Sequence, residues 1–330
     1  SARMTPRQLD RYSNTTKKIN CYDVILGCYM FFSVTHAAFL VGHSKSQNFL
    51  TIGSSCLRLP ARTDCDIIVT RLTVLFNSMA ELLLINRARA HGNRLAIRAG
   101  SDEFSYTQLL QVSADLASRL LNKTDDLNEA RIAFLAPAGF EYTVMQWGIW
   151  RAGGVIVPLC LSAADPELDY TLTNSESSLV ISTKNLSSKV EGLCQRLNIP
   201  IMVLEEEADE SAASDSSLPT LDPTRRAMIL YTSGTTSKPK GVVLTHANIQ
   251  AQIESLVEAW EWQSDDRIPL FLPLHHIHGI INVFCCALWI GATVDASSSF
   301  DSAAILKRVD EGTYTVFMAV PTIYVKLINA

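Results

Sequence analysis

Residues 227–246, AMILYTSGTTSKPKGVVLTH, constrain the fold more than any other stretch, because an apolar run stops in hydroxyls, glycine and lysine before a second apolar run begins. The order reads strand, polar loop, strand. Met228 to Tyr231 suit a buried strand. Thr232, Ser233, Thr235, Thr236 and Ser237 then set five hydroxyls around Gly234, ahead of Lys238, Pro239, Lys240 and Gly241. A loop of this kind suits phosphate: hydroxyls and free backbone N–H groups donate to its oxygens, glycine lets the backbone approach, and lysine brings a mobile positive charge. The Walker spacing G-x-x-x-x-G-K-[ST] is not met, since Pro239 stands five residues after Gly234. The plain alternative is a solvated Ser/Thr loop that only joins two strands.

The rest of the chain is built to fold around such a motif. Its 330 residues hold one large or two ordinary domains, and 48% hydrophobic with 18% charged residues is globular. A net charge of −5, with no basic stripe interleaved with aromatics, excludes nucleic acid as a main partner. The eight cysteines form no C-x-x-C pair and no regular framework, so buried thiols rather than disulfides are expected.

Residues 1–78 differ from the remainder in charge. Nine Lys/Arg face four acids there, a net of +5, which leaves −10 for the other residues. Such asymmetry marks an appended or targeting piece. Three readings stand. Arg3, Arg7 and Arg11 at four-residue spacing suit an amphipathic mitochondrial presequence, with a cytoplasmic protein as the alternative. Residues 24–41 are an uncharged run of 18 behind Lys17 and Lys18, near the lower limit for a membrane helix, although Ser33, Thr35 and His36 weaken it. In the third reading the upstream residues are a leader and the domain starts at Met79. All three place the main domain in residues 79–330.

From Arg94 onward strand and helix periods alternate, the pattern of an α/β fold. Leu95 to Arg98 and Glu103 to Tyr106 read as a hairpin across Gly100, Thr107 as the cap of a helix to Leu121, and Arg131 to Ala136 as a buried strand. A helix from Phe140 closes on Gly153 and Gly154, Val155 to Leu159 is a strand, and Asp165-Pro166 opens the next helix with a cap and a first-position proline. Strands are expected at Ser178 to Ser182 and Ile201 to Leu204. The acidic, serine-rich residues 205–223 read as a solvated loop, since a hard-metal site would need turn glycines and converging ligands. Thr245 caps a helix to about Trp260, and a strand from Arg267 to Leu272 runs into PLHHIHG, residues 273–279. Three histidines, His275, His276 and His278, fall there within four positions, yet no Cys, Asp or Glu stands at ligand spacing for zinc. Imidazoles packed at a strand end are the bland reading.

The stretch YTSGTTSKPKGV resembles the phosphate-binding signature of the adenylate-forming enzymes, [YF]-[ST]-S-G-[ST]-T-G-x-P-K-G-V, and PLHHIHG resembles that superfamily's next motif. The likeness extends through IGATVDASSSFD and TVFMAVPTIYVKLIN, covers about residues 79–330, and is nearest to the malonyl-CoA synthetase branch. It implies the large N-terminal domain of the adenylate-forming fold, mixed sheets flanked by helices, without the C-terminal lid domain. It also implies an acid–thiol ligase that takes a short dicarboxylic acid, malonate or methylmalonate, with ATP, Mg²⁺ and coenzyme A; the alternatives are a catalytically dead nucleotide- or acyl-binding module and an acyl-CoA synthetase for another fatty acid. In that scheme Thr232, Ser233, Gly234, Thr235, Thr236, Ser237, Lys238, Pro239 and Lys240 bind the nucleotide. His276 sits between the acyl pocket and the nucleotide, and His278 is placed to meet the far carboxylate of a dicarboxylic acid. The family's adenine-binding stretch, its Y-G-x-T-E motif, ribose-binding aspartate, hinge and C-terminal lysine would follow Ala330, so the chain as written is expected not to turn over.

One letter departs from the signature: the family has glycine where Ser237 stands. A side chain at a position of positive φ costs about 1 kcal/mol. Ser237→Gly in the complete protein is therefore expected to tighten ATP binding or raise the adenylation rate. An unchanged pyrophosphate-exchange rate would show that the loop accommodates the serine.

Overall fold

Chain order explains the layering. The computed structural model describes residues 81–204, 218–232, 238–297 and 299–330. The boundary at Met79, the whole of 1–78 with its uncharged run, residues 205–217 of the acidic stretch and residues 233–237 lie outside the described residues. Helix α1 (Leu83–His91) leads into β1 (Leu95–Ala99) and β2 (Asp102–Ser105), an antiparallel pair across Gly100. Helix α2 (Tyr106–Leu121) follows. Its cap is Ser105 rather than Thr107: the Ser105 side chain accepts from the Gln108 N–H while the Gln108 side chain accepts from the Ser105 N–H. That reciprocal pair satisfies two orphan groups at once, which a lone threonine two residues later cannot do.

Strand β3 (Arg131–Leu135), helix α3 (Phe140–Arg151), β4 (Val155–Pro158), helix α4 (Asp165–Asn174), β5 (Leu179–Thr183), helix α5 (Ser187–Leu197) and β6 (Ile201–Leu204) then alternate. Pro166 sits in the first turn of α4 as expected, but Asp165 is already helical and Ala164 holds the cap position without a side-chain bond. Strands β7 (Arg226–Thr232) and β8 (Lys240–Thr245) form a hairpin. Thr245 caps α6 (His246–Ala259) through a capping box with Asn248, and Trp260 closes that helix. Strand β9 (Arg267–Leu270), a π-helical segment (His278–Cys285), α7 (Cys286–Ile290), β10 (Thr293–Ala296), α8 (Ser302–Asp310) and α9 (Pro321–Ile328) complete the order.

The strands make two mixed sheets, β6-β5-β3-β4-β7-β8 and β2-β1-β10-β9. In the larger sheet only β8 runs antiparallel to its neighbour, and the central strands are buried on both faces. Ile132, Phe134, Ile156, Met228 and Leu230 point into the main core with α2 and α3, while Ala133, Leu135, Val157 and Val180 point the other way against α4 and α5. Successive side chains alternate across a pleated strand, so two buried faces demand near-continuous apolar runs. Ile97, Ile268, Leu270 and Val294 bring the smaller sheet to the same main core. Four of the cysteines fall among the described residues, Cys160, Cys194, Cys285 and Cys286, and all four are free thiols.

A clasp closes the amino-terminal side of β7. Arg225 donates to both carboxylate oxygens of Asp126, at 2.6 and 2.9 Å, and to the Gly153 carbonyl at 2.9 Å. Gly153 has φ +83, and a Cβ there would stand 2.1 Å from the Asp126 oxygen, so glycine is required both by conformation and by space. The Arg225 hydrogen bonds hold the Asp126 carboxyl below its ordinary range. The stabilisation is thus present above the unfolded value of about 4 and is lost as pH falls through the lower folded value. Asp126→Asn is expected to lower unfolding stability by about 1–2 kcal/mol at pH 7. Urea titrations at descending pH should show the gap to the unaltered protein closing below about pH 4.

Candidate active site

The loop that the sequence singles out sits at a sheet edge suited to a ligand. Strand β7 runs parallel to β4, with Ile156 opposite Met228, and its carboxyl end leads straight into the loop. Ligands of open α/β sheets bind outside the carboxyl ends of the strands. The hairpin pairs Thr232 with Lys240, so the two arms of the loop are held one strand spacing apart. Thr232, Lys238, Pro239 and Lys240 are all exposed, while Ser233, Gly234, Thr235, Thr236 and Ser237 lie outside the described residues.

The histidine segment reaches the same edge by another route. It follows β9, and the buried Tyr142 in the first turn of α3 donates its hydroxyl proton to the Leu274 carbonyl at 2.7 Å. Helix α3 itself starts just beyond the carboxyl end of β3. Only β4 separates β3 from β7, which puts the two strand ends about 10 Å apart. Two motifs more than thirty residues apart therefore follow from the carboxyl-end side of one sheet, the strand ends that lead toward them lying about 10 Å apart.

The three imidazoles are not equivalent. His276 is exposed, and its ring lies 4.0 Å from that of His275. Burial, with the His276 charge adding to it, pulls His275 down to about 4. Burial also pulls His278 below the ordinary histidine value, and its Nε2 is buried with no hydrogen-bond partner among the described residues. At neutral pH His275 and His278 are neutral rings, each with one N–H donor and one lone-pair acceptor. An unpartnered buried ring nitrogen is costly unless something polar meets it, and a carboxylate oxygen is an acceptor of the right kind for its N–H tautomer. His278 also opens the π-helical segment, a rare winding that clusters at functional sites. Among the described residues no group of three or more His, Cys, Asp or Glu could hold a metal ion.

Gly279 explains how the segment folds back so tightly. A Cβ at that position would lie 2.5 Å from the Pro273 carbonyl oxygen and 3.3 Å from that of Leu272. Backbone cannot yield as a flexible side chain can. Gly279→Ala is expected to lower unfolding stability by about 1–3 kcal/mol, read as a lower urea midpoint with an unchanged slope.

Sequence reasoning singled out the loop and the histidines but neither Tyr142 nor the π-helical winding. Nothing in FEYTVMQW or HGIINVFC signals them locally, and Tyr142 acts across 132 residues.

The AMP-binding enzyme family matches residues 84–330. The mitochondrial malonate–CoA ligase ACSF3 of Mus musculus is 37% identical over 257 residues, covering 74% of this chain and 44% of the mouse protein. A malonate–CoA ligase of Arabidopsis thaliana is 33% identical over 271 residues, covering 72% of this chain and 44% of that protein. Among solved structures, apo MatB from Rhodopseudomonas palustris matches with a TM-score of 0.67 at 26% identity, over 76% of this chain and 51% of that one. The chain spans just under half the length of the curated relatives it matches.

Proposed function

The chain belongs to the AMP-binding enzyme family, and from that premise we propose that the complete protein joins a short dicarboxylic acid, malonate or methylmalonate, to coenzyme A while ATP is cleaved to AMP and pyrophosphate. What supports the reading is that β7, which leads into the phosphate-type loop, and α3, which holds the histidine segment through Tyr142, belong to the same side of one sheet. A carboxylate oxygen of the acid attacks the α-phosphorus of ATP, the bond to pyrophosphate breaks, and an acyl-adenylate results. The thiol of coenzyme A then attacks the acyl carbon, the carbon–oxygen bond to AMP breaks, and the thiol proton passes to solvent.

The roles of individual residues follow from their chemistry. Thr232, Ser233, Gly234, Thr235, Thr236, Ser237, Lys238, Pro239 and Lys240 form the nucleotide loop, whose hydroxyls and lysines meet the charge that develops on the transferring phosphate. The family resemblance also implies magnesium, and among the described residues no group of three or more His, Cys, Asp or Glu could hold it. His276, an exposed ring, serves the reacting carboxylate. His278, neutral and with no partner for its Nε2 among the described residues, donates to the distal one. A buried carboxylate left without a donor would cost several kcal/mol, whereas a fatty acid would need only apolar walls. Residues 79–330 are read as part of the large domain and 1–78 as a leader. Arg3, Arg7 and Arg11 support a mitochondrial address, as does the mouse relative's own name.

The test is ligation by the complete protein with malonate, methylmalonate, acetate and octanoate, before and after His278→Ala. The two dicarboxylates are expected to be the best substrates, and His278→Ala should cost roughly tenfold or more on them alone. Octanoate as the best substrate would overturn the dicarboxylate reading, and equal loss on every acid would reduce His278 to packing.

A further inference from the structure

Helix α4 grips both arms of the loop. On the entering arm, the Tyr231 hydroxyl donates to Asn174 Oδ1 at 2.9 Å and lies 3.4 Å from the Thr171 carbonyl. On the leaving arm, the Tyr170 hydroxyl donates to the Pro239 carbonyl at 2.9 Å. The Lys238 ammonium lies over the Tyr170 ring, 5.5 Å from its centre, and the Tyr170 and Tyr231 rings meet edge to face at 6.1 Å. Leu168 and Leu172, four residues apart, are buried against β3, β4 and β5 and fasten the helix to the sheet. Tyr170 and Asn174, also four apart, are thereby turned toward the hairpin.

We propose that Tyr170 is a positioning residue for the nucleotide loop: its hydroxyl fixes the Pro239 arm and its ring stations the Lys238 ammonium where a polyphosphate would meet it. The inference rests on the nucleotide reading of residues 232–240. Its physical content is pre-organisation. A lysine side chain in water samples many rotamers, and ordering it on binding opposes affinity. An aromatic face that attracts the ammonium confines those rotamers beforehand, without neutralising the charge as a carboxylate would. Proline at 239 has no N–H, so its carbonyl is the one backbone group of that residue through which the arm can be tied. A tyrosine supplies both the donor and the ring, and no aliphatic residue supplies either.

The experiment compares the unaltered protein with Tyr170→Phe and Tyr170→Leu. Three readouts are taken: the thermal midpoint without ligand, amide hydrogen exchange of residues 238–241 without ligand, and calorimetric affinity for ATP and for inorganic tripolyphosphate. Tyr170→Leu should speed exchange in residues 238–241 and weaken both ligands by roughly tenfold, and Tyr170→Phe, which keeps the ring, by about threefold. The midpoint should stay unchanged in Tyr170→Phe. Unchanged exchange or unchanged affinity in Tyr170→Leu overturns the positioning role while leaving the nucleotide reading intact. A loss in Tyr170→Phe as large as in Tyr170→Leu overturns the ring's part in it. Failure of the unaltered protein to bind either ligand overturns the nucleotide reading, and the inference falls with it.

Discussion

The rest of the structure depends on the burial of α3. Every residue from Tyr142 to Arg151 is buried, so this helix has no water-facing side on which to leave a polar group. Several of its polar atoms find partners inside, although Trp147 Nε1 and Gln146 Oε1 have none among the described residues, and the bonds that do form join the two sheets and the histidine segment. Tyr142 donates to the Leu274 carbonyl in the histidine segment, Trp150 to the Ala227 carbonyl in β7, and Arg151 to the Leu110 carbonyl and the Ser113 hydroxyl of α2. Gln146 reaches Cys285 at the end of the π-helical segment. Each bond is modest by itself, but each replaces a bare buried donor, and the replacement sets the geometry.

From that arrangement the site follows. The strand that leads into residues 233–237 and the segment that carries the histidines are fastened to one helix, Trp150 holding the first and Tyr142 the second. Their separation is thus fixed by about two turns of α3 and by one intervening strand, rather than by the long stretch of chain between them. On the far face of the sheet, α4 and α5 do the complementary task, closing the second core and presenting Tyr170 and Asn174 to the hairpin.

Charge in the site is arranged by dehydration more than by ion pairs. His275 and His278 are kept neutral by burial, so they offer directed hydrogen bonds without net charge, and the lysines of the leaving arm remain exposed. Two ion pairs of the neighbourhood, Arg225 with Asp126 and Arg226 with Glu129, sit at the opposite end of β7, where they fix the strand.

Local chemistry was legible wherever its cause was local. The hairpin around residues 233–237, the alternation of strands and helices, the Thr245 cap and the two motifs can be read from short windows, because backbone propensity, capping and side-chain alternation act within a few residues. Even the misplaced cap belonged to this class: Ser105 and Gln108 carry the capping-box spacing, and Thr107 merely stood nearer the apolar run. Tertiary structure alone decided the rest. That Tyr142 meets Leu274 and that Tyr170 meets Pro239 depend on contacts between residues far apart in the chain, with separations of 132 and 69. Such contacts are chosen by which buried polar groups can reach one another once both sheet faces are closed, and no window of sequence contains both partners.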